Sequence, residues 1–400
     1  MAAPSSGPLI LVHAQLPTVR PGGPGYSDPS TWVWVPCLEF PIERVNELQF
    51  SSKPLKWIRY CIGAVTGTQG HLSHQADVLA IVDYDQPLSA ESQSTALYYH
   101  VSDAEKEQMF PTDPHLADPP REDSVHSDGN TTTSSAPCRT FHEDLVERDE
   151  RCVATRWEEN VCDSVHLIPH CKGDDYIPML TARRSRGREE DIVSSIDDVC
   201  NGILLHCGVH LVLRQTVAFL PLPNFAMDAS DVVPGADPSE VMYPVHAFGP
   251  DYKDLLAGAR LTLPSPDRTW AARNWPPPTV FEVVYGAAVL HEFGVPETFA
   301  RVAEAWEELY YPQGGWAASN DAYFAERHRA RMERDDPARR VPVWPDSEIL
   351  DMMMMFPGSL LPMGEQRRYI KEMRKKEREE ARRRAEEKVD AWREDVGSSV

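Results

Sequence analysis

The sequence predicts an α+β fold, and three observations carry that reading. Near the middle of the chain, the strand formers Val165, Leu167 and Ile168 run into Pro169, which cannot donate to a ladder, and Ile203, Leu204 and Leu205 follow Gly202. On either side, apolar residues recur at helical spacing, Leu55, Ile58, Ile62 and Val65 before and Phe281, Tyr285 and Ala288 after. A chain of 400 residues with 42% hydrophobic content is long enough for a substantial core, as one domain with extensions or as two domains.

Taken in order, residues 1–110 read as an N-terminal mixed α/β module. Lys53 to Val65 is its helix and Ala76 to Tyr84 its strand. Residues 111–140 read as a flexible linker, because from Pro111 to Ser135 the residues Pro, Asp, Ser, His and Thr replace apolar periodicity. Residues 141–225 hold the two central strands. Residues 226–360 read as a mainly helical region in which Thr279 and Glu282 have capping-box spacing, Gly294 ends the helix, and Trp275-Pro-Pro-Pro blocks extension upstream. A second helix is expected from Glu297 to Leu309 with Phe299, Val302 and Trp306 on its buried side. Met352 to Met355 read as a core segment or an adaptable contact surface. Residues 361–400 read as a charged, solvated helix and tail, whose stretch Glu365 to Glu394 lacks the apolar heptad of a coiled coil.

The formal charge, 40 minus 62 or −22, is the wrong sign for a general nucleic-acid binder, so any such contact needs a local basic patch. Arg183, Arg184, Arg186 and Arg188 supply one between the two central strands, with Glu189, Glu190 and Asp191 positioned to neutralise it. No apolar run approaches the roughly 20 residues a membrane-spanning helix needs, so no membrane association is expected. Met1 to Leu16 lack the basic start of a secretory signal. Eight cysteines without Cys-x-x-Cys pairs point to reduced thiols in the nucleus or cytoplasm. Cys162, His166 and His170 have a spacing that would suit zinc on a helix. Pro169 and the β-branched neighbours argue for a strand, and hence for a core cysteine.

One stretch carries most of the functional signal. It reads Arg148-Asp-Glu-Arg-Cys152-Val, then Asp163-Ser-Val-His166-Leu-Ile-Pro169-His170, then Asn201-Gly-Ile-Leu-Leu-His206-Cys-Gly-Val-His210. At these positions the chain resembles the HNH endonuclease family, in the branch found inside larger, mostly fungal proteins. The resemblance implies a ββα-metal core embedded in a larger domain: a hairpin followed by a helix that carries ligands for a divalent metal, Mg2+, Mn2+ or Zn2+. It implies hydrolysis of phosphodiester bonds in nucleic acid, DNA above all; the oligomeric state stays open.

In that reading His166 is the general base, since a neutral imidazole takes a proton from water near pH 7. The plainer reading is a histidine hydrogen-bonded beside a core strand. Asn201 is implied to orient the base through its side-chain amide, against an ordinary Asn-Gly turn. His210 is implied as a metal ligand, against a surface helix histidine, with His206 four residues before it as a further candidate. Arg214 departs from the pattern. It stands where the family usually supplies an Asp or His ligand, and a guanidinium repels a metal. Two function classes follow, a metal-dependent endonuclease and a catalytically weakened HNH-like module that binds a protein or nucleic-acid partner without cutting. Both place Ser164 to Ile168 and Ile203 to Leu205 in one hairpin, with His166 and His210 expected in one cleft.

Overall fold

The computed structural model describes residues 7–17, 28–88, 94–117, 136–249 and 256–311. They lie in the first of two compact units, Met1–Arg327, the second being His328–Val400. No helix among the described residues is long and apolar enough to cross a membrane.

The N-terminal half builds a four-stranded sheet from β1 (Leu9–Leu16), β2 (Val33–Pro41), β3 (Gly70–Ser73) and β4 (Thr95–Val101), in the order β2-β1-β4-β3. β1 runs antiparallel to β2 and parallel to β4, and β3 closes the sheet antiparallel to β4. Along β1 every second residue, Ile10, Val12, Ala14 and Leu16, is buried, as a sheet with one face on the core requires. Helices α1 (Ile42–Leu48) and α2 (Pro54–Thr66) follow β2. Pro54 fits the first turn of α2, where no N–H partner is lost, and Gly67 ends it at φ 72°, a conformation that favours glycine.

After α3 (Asp103–Gln108), α4 (Ala136–Asp149) leads into the hairpin of β5 (Cys162–His166) and β6 (Gly202–His206). Their connection carries α5 (Tyr176–Arg184), and the single turn α6 (Cys207–His210) follows β6. A small ladder of β7 (Val217–Phe219) with β8 (Val245–Ala247) and the short α7 (Thr269–Arg273) precede two long helices, α8 (Pro278–Phe293) and α9 (Pro296–Tyr310). α8 is the axis of the core. Val280, Phe281, Val283, Val284, Tyr285, Ala287, Ala288 and Val289 are all buried, so it is covered on every side. Gly286 lets neighbours approach closely: a Cβ there would meet Thr112 Oγ1 at 2.6 Å and the Ala64 carbonyl oxygen at 2.8 Å.

The expected helices are close to those observed, Lys53–Val65 against α2 and Glu297–Leu309 against α9, with Val302 and Trp306 buried. Thr279 is not a cap. Pro277 and Pro278 start α8, and the Thr279 hydroxyl donates to Asp191 at 3.4 Å. Gly294 does end the helix, its N–H bonded to the Leu290 carbonyl. Ala76–Tyr84 is not a strand beyond a single bridge from Ile81 to Ser73. The buried Ser73 hydroxyl donates to Val78 O and accepts Gln75 and Ala80 N–H, and these local bonds replace a ladder. Val78, Leu79 and Ile81 are left exposed.

The expected linker is ordered at both ends. Pro111–Ala117 is mostly buried. Thr112 N–H donates to Val65 O and its hydroxyl to Ala64 O, while Asp113 accepts from Lys172 and from the Tyr311 hydroxyl. At the other end α4 begins at Ala136. Proline restricts the backbone without preventing burial once such partners exist. Residues 118–135, Met352–Met355 and Glu365–Glu394 lie outside the described residues. Between residues 7 and 311 the N-terminal sheet, the hairpin and the C-terminal helices contribute to one apolar core.

Across that core Trp57 Nε1–H donates to the Tyr285 hydroxyl at 2.7 Å, which in turn donates to His246 Nδ1 at 2.7 Å. Phe50 stacks on the His246 ring at 4.0 Å, and burial pushes the imidazole down to about 3. A folded-state value below the unfolded one means the unfolded chain binds the extra proton. The contribution of His246 is therefore fully present above its unfolded value of about 6.5 and declines as pH falls toward 3. Urea midpoints measured from pH 7 to pH 4 should fall, and His246→Gln should flatten that slope. An unchanged slope in the variant would assign the acid sensitivity elsewhere.

Candidate functional site

The expected hairpin forms, but its first strand is Cys162–His166 rather than Ser164 to Ile168, with Cys162 opposite His206 and His166 opposite Gly202. Its frame is a buried pair at the end of α4. Arg148 forks onto both oxygens of Asp149 (2.6 and 2.8 Å) and also donates to Val199 O, Gly202 O and Asn274 O. Asp149 accepts the Leu204 N–H at 2.8 Å. One ion pair thus ties α4 to the end of the β5–β6 connection, to β6 itself and to the end of α7. Gly202 is needed for closeness, since a Cβ there would meet Phe141 Cζ at 2.4 Å and Leu145 Cδ1 at 2.9 Å.

His166 ends β5 and is 2% exposed. Its Nε2–H donates to Asp197 at 3.0 Å, and Phe141 of α4 stacks flat on the ring, centroids 4.1 Å apart and planes 4° from parallel. Nδ1 is buried without a hydrogen-bond partner among the described residues. The exposed His170 stands 3.7 Å from the same Asp197 oxygen. The His166 hydrogen bond, with the charge of His170, holds the Asp197 carboxyl below its usual value against the effect of burial.

Asn201 does not bond the His166 ring. Its Oδ1 accepts the Ile168 N–H (2.8 Å) and its Nδ2 donates to Ile168 O and Ile196 O (2.9 and 2.8 Å). Any orienting effect on His166 passes through the backbone two residues further on. The side chain satisfies polar groups of a buried loop.

His210 Nδ1–H donates to Asp163 at 2.9 Å, and its Nε2 is buried without a hydrogen-bond partner among the described residues. His206 is turned to a different use: its Nδ1 accepts the Gly208 N–H and caps α6, and burial pushes its imidazole below the usual value. His166 and His210 do not share a cleft. Successive side chains of a strand point to opposite faces. Ser164, of the same parity as His166, bonds His142 of α4 at 2.6 Å, whereas Asp163 meets α6 on the other face.

Arg214 is 1% exposed and lies beyond the end of α6 at φ 69°, so it does not continue a helical face from His210. Its guanidinium donates to His166 O at 2.9 Å and Leu167 O at 3.3 Å, clamping the end of β5. The residues present do not fit the implied metal. Among the described residues no group of three or more His, Cys, Asp and Glu could hold a metal ion, and the Arg214 position carries a cation.

The basic loop is also spent internally. Arg184 is 1% exposed and donates to Phe110 O, Ala64 O, Thr112 and Glu282. Arg186 pairs with Glu105 at 3.2 Å and Arg188 with Asp191 at 2.6 Å, which leaves only Arg183 of the four exposed and without such a partner in the described contacts. Sequence reasoning missed Asp197 and Phe141. Asp197 sits in a polar turn with nothing local to mark it, and Phe141 is the first residue of the 141–225 segment, upstream of every motif residue that drew attention. Compared against protein-family models, curated proteins and solved structures, the chain matches none.

Two substitutions test this arrangement. Asp149→Ala strips the partner from a buried guanidinium and should destabilise by about 3–5 kcal/mol in urea unfolding. Arg214→Asp, which the sequence alone offers as a restored ligand, should instead destabilise by at least about 2 kcal/mol, since it removes donors from two buried carbonyls. Tighter Mn2+ binding with unchanged stability in Arg214→Asp would reverse this account.

Proposed function

We propose that the chain is a catalytically weakened HNH-like module that binds a partner without cutting nucleic acid. One observation carries the reading: His166, the implied base, is enclosed on both nitrogens, Nε2 by Asp197 and Nδ1 by burial beside Phe141. A general base needs a lone pair within reach of the water it deprotonates. With the hairpin held by Arg148, Asn201 and Arg214, the scaffold persists without the ligand set.

The partner is a protein rather than a nucleic acid. The net charge of −22 opposes phosphates, and Arg184, Arg186 and Arg188 are already engaged. The exposed Val78, Leu79 and Ile81, flanked by exposed Asp77 and Asp83, fit a partner segment that combines apolar with basic side chains.

A second reading, a metal-dependent HNH endonuclease, is favoured by His210. Its Nδ1–H is fixed by Asp163, the orientation that leaves Nε2 as a ligand atom. The two readings part in one experiment. Calorimetric titration with Mg2+, Mn2+ and Zn2+, together with cleavage of plasmid DNA and single-stranded RNA, should give no metal-dependent product. Labelled duplex DNA should not bind at low salt. Cleavage that drops roughly 10²–10⁴-fold in His166→Ala would establish the endonuclease instead.

A further inference from the structure

At the open end of the hairpin two thiols meet. Residues 151–158 fold back on themselves through a bridge between Arg151 and Glu158 and the Cys152 N–H bonded to Trp157 O at 3.0 Å. The Val153 N–H bonded to Leu204 O at 3.0 Å lays this turn along β6. Cys152 is buried there, and its sulfur accepts two backbone N–H groups, from Thr155 at 3.2 Å and His206 at 3.1 Å. The strand register sets Cys162 opposite His206, whose N–H the Cys152 sulfur accepts, and the Cys162 thiol reaches the same Trp157 carbonyl, at 3.8 Å, that the Cys152 N–H bonds. Cys162 is only partly buried, its sulfur also bonded to Glu158 O at 3.2 Å.

We propose that Cys152 and Cys162 form a redox modification site, a thiol pair that a hydroperoxide converts into an intramolecular disulfide joining the 151–158 turn to β5. The half-exposed Cys162 meets the oxidant. As its proton passes to the Cys152 sulfur, the Cys162 sulfur attacks the peroxide O–O bond and takes one oxygen, while the other leaves with a proton from solvent as water or an alcohol and a sulfenic acid remains. The Cys152 sulfur then attacks the Cys162 sulfur, giving up its proton, and the sulfenic oxygen leaves as water. In total two thiols lose two hydrogens and two electrons, and the hydroperoxide accepts them.

The surroundings of Cys152 favour its part in the second step. Burial alone would raise its thiol, but the Cys162 hydrogen bond and the N–H donors outweigh it and bring Cys152 down to about 6, whereas burial holds Cys37 and Cys200 up at about 12. The proton shared by the pair pushes Cys162 in the opposite direction. The pair stands independently of whether the hairpin is HNH-like.

The test uses the full chain treated with a small excess of hydrogen peroxide, alkylated, digested without reductant and mapped by mass spectrometry. A peptide pair joined through Cys152 and Cys162, two hydrogens lighter and released by dithiothreitol, is expected. Cys162→Ser should abolish that pair and Cys207→Ser should retain it. Recovery of Cys152 and Cys162 as alkylated thiols while the exposed Cys171 and Cys207 are oxidised would overturn the proposal, as would linkage of Cys162 to Cys207. The wild-type map decides even if Cys152→Ser fails to fold.

Discussion

The Arg148–Asp149 pair is the constraint on which the hairpin depends. A buried guanidinium and carboxylate each lose water, and the loss is offset only when their remaining hydrogen-bonding capacity is filled. Here every contact goes to backbone that must be held: Val199 O before β6, Gly202 O and Leu204 N–H within it, and Asn274 O at the end of α7. Trp275 covers the guanidinium, with its ring centroid 5.2 Å away. A pair of adjacent residues in α4 thereby sets where β6 lies. The register in turn settles which partner each histidine receives.

Those partners decide the chemistry of the region. Asp197 takes the His166 imidazole, with His170 beside it, and Asp163 takes that of His210, and strand alternation sends Asp163 and His166 to opposite faces of β5. A bifunctional centre would need them to converge on one substrate atom. Arg214 adds a cation that supports the carbonyls of His166 and Leu167. It does mechanically for the end of β5 what a bridging group could do elsewhere, and brings no electron pair with it.

The sequence made the elements legible wherever a periodic pattern met a breaker. α2, α9 and the separate strands β5 and β6 were readable because apolar spacing and proline or glycine agree there, whereas the pairing of β5 with β6 was only what the family resemblance implied. β1 was not read, since Leu9 to Leu16 gives only a short apolar run and its strand character comes from β2 and β4 on either side. Ala76–Tyr84 has strand composition, yet the Ser73 hydroxyl captures its backbone. The candidate site was legible in its residue types and not in its contacts. Nothing local reveals that Arg184 is buried against Ala64, Phe110 and Glu282, or that Asp197 lies beside His166, because burial and long-range pairing are set by the rest of the fold.

The position of α8 in the chain has a consequence for how the protein is made. Its sixteen residues, Pro278–Phe293, are the surface on which α2 and the 111–117 segment pack, yet they leave the ribosome after all of those. Until they emerge, the part of α2 that meets α8 lacks that cover, although Phe40 and Phe50 already flank Trp57. Contacts of such sequence separation form slowly and leave nascent apolar surface open to aggregation. The core around α2 is therefore completed only after most of the described chain has been synthesised, a period in which a chaperone that masks apolar surface would matter most.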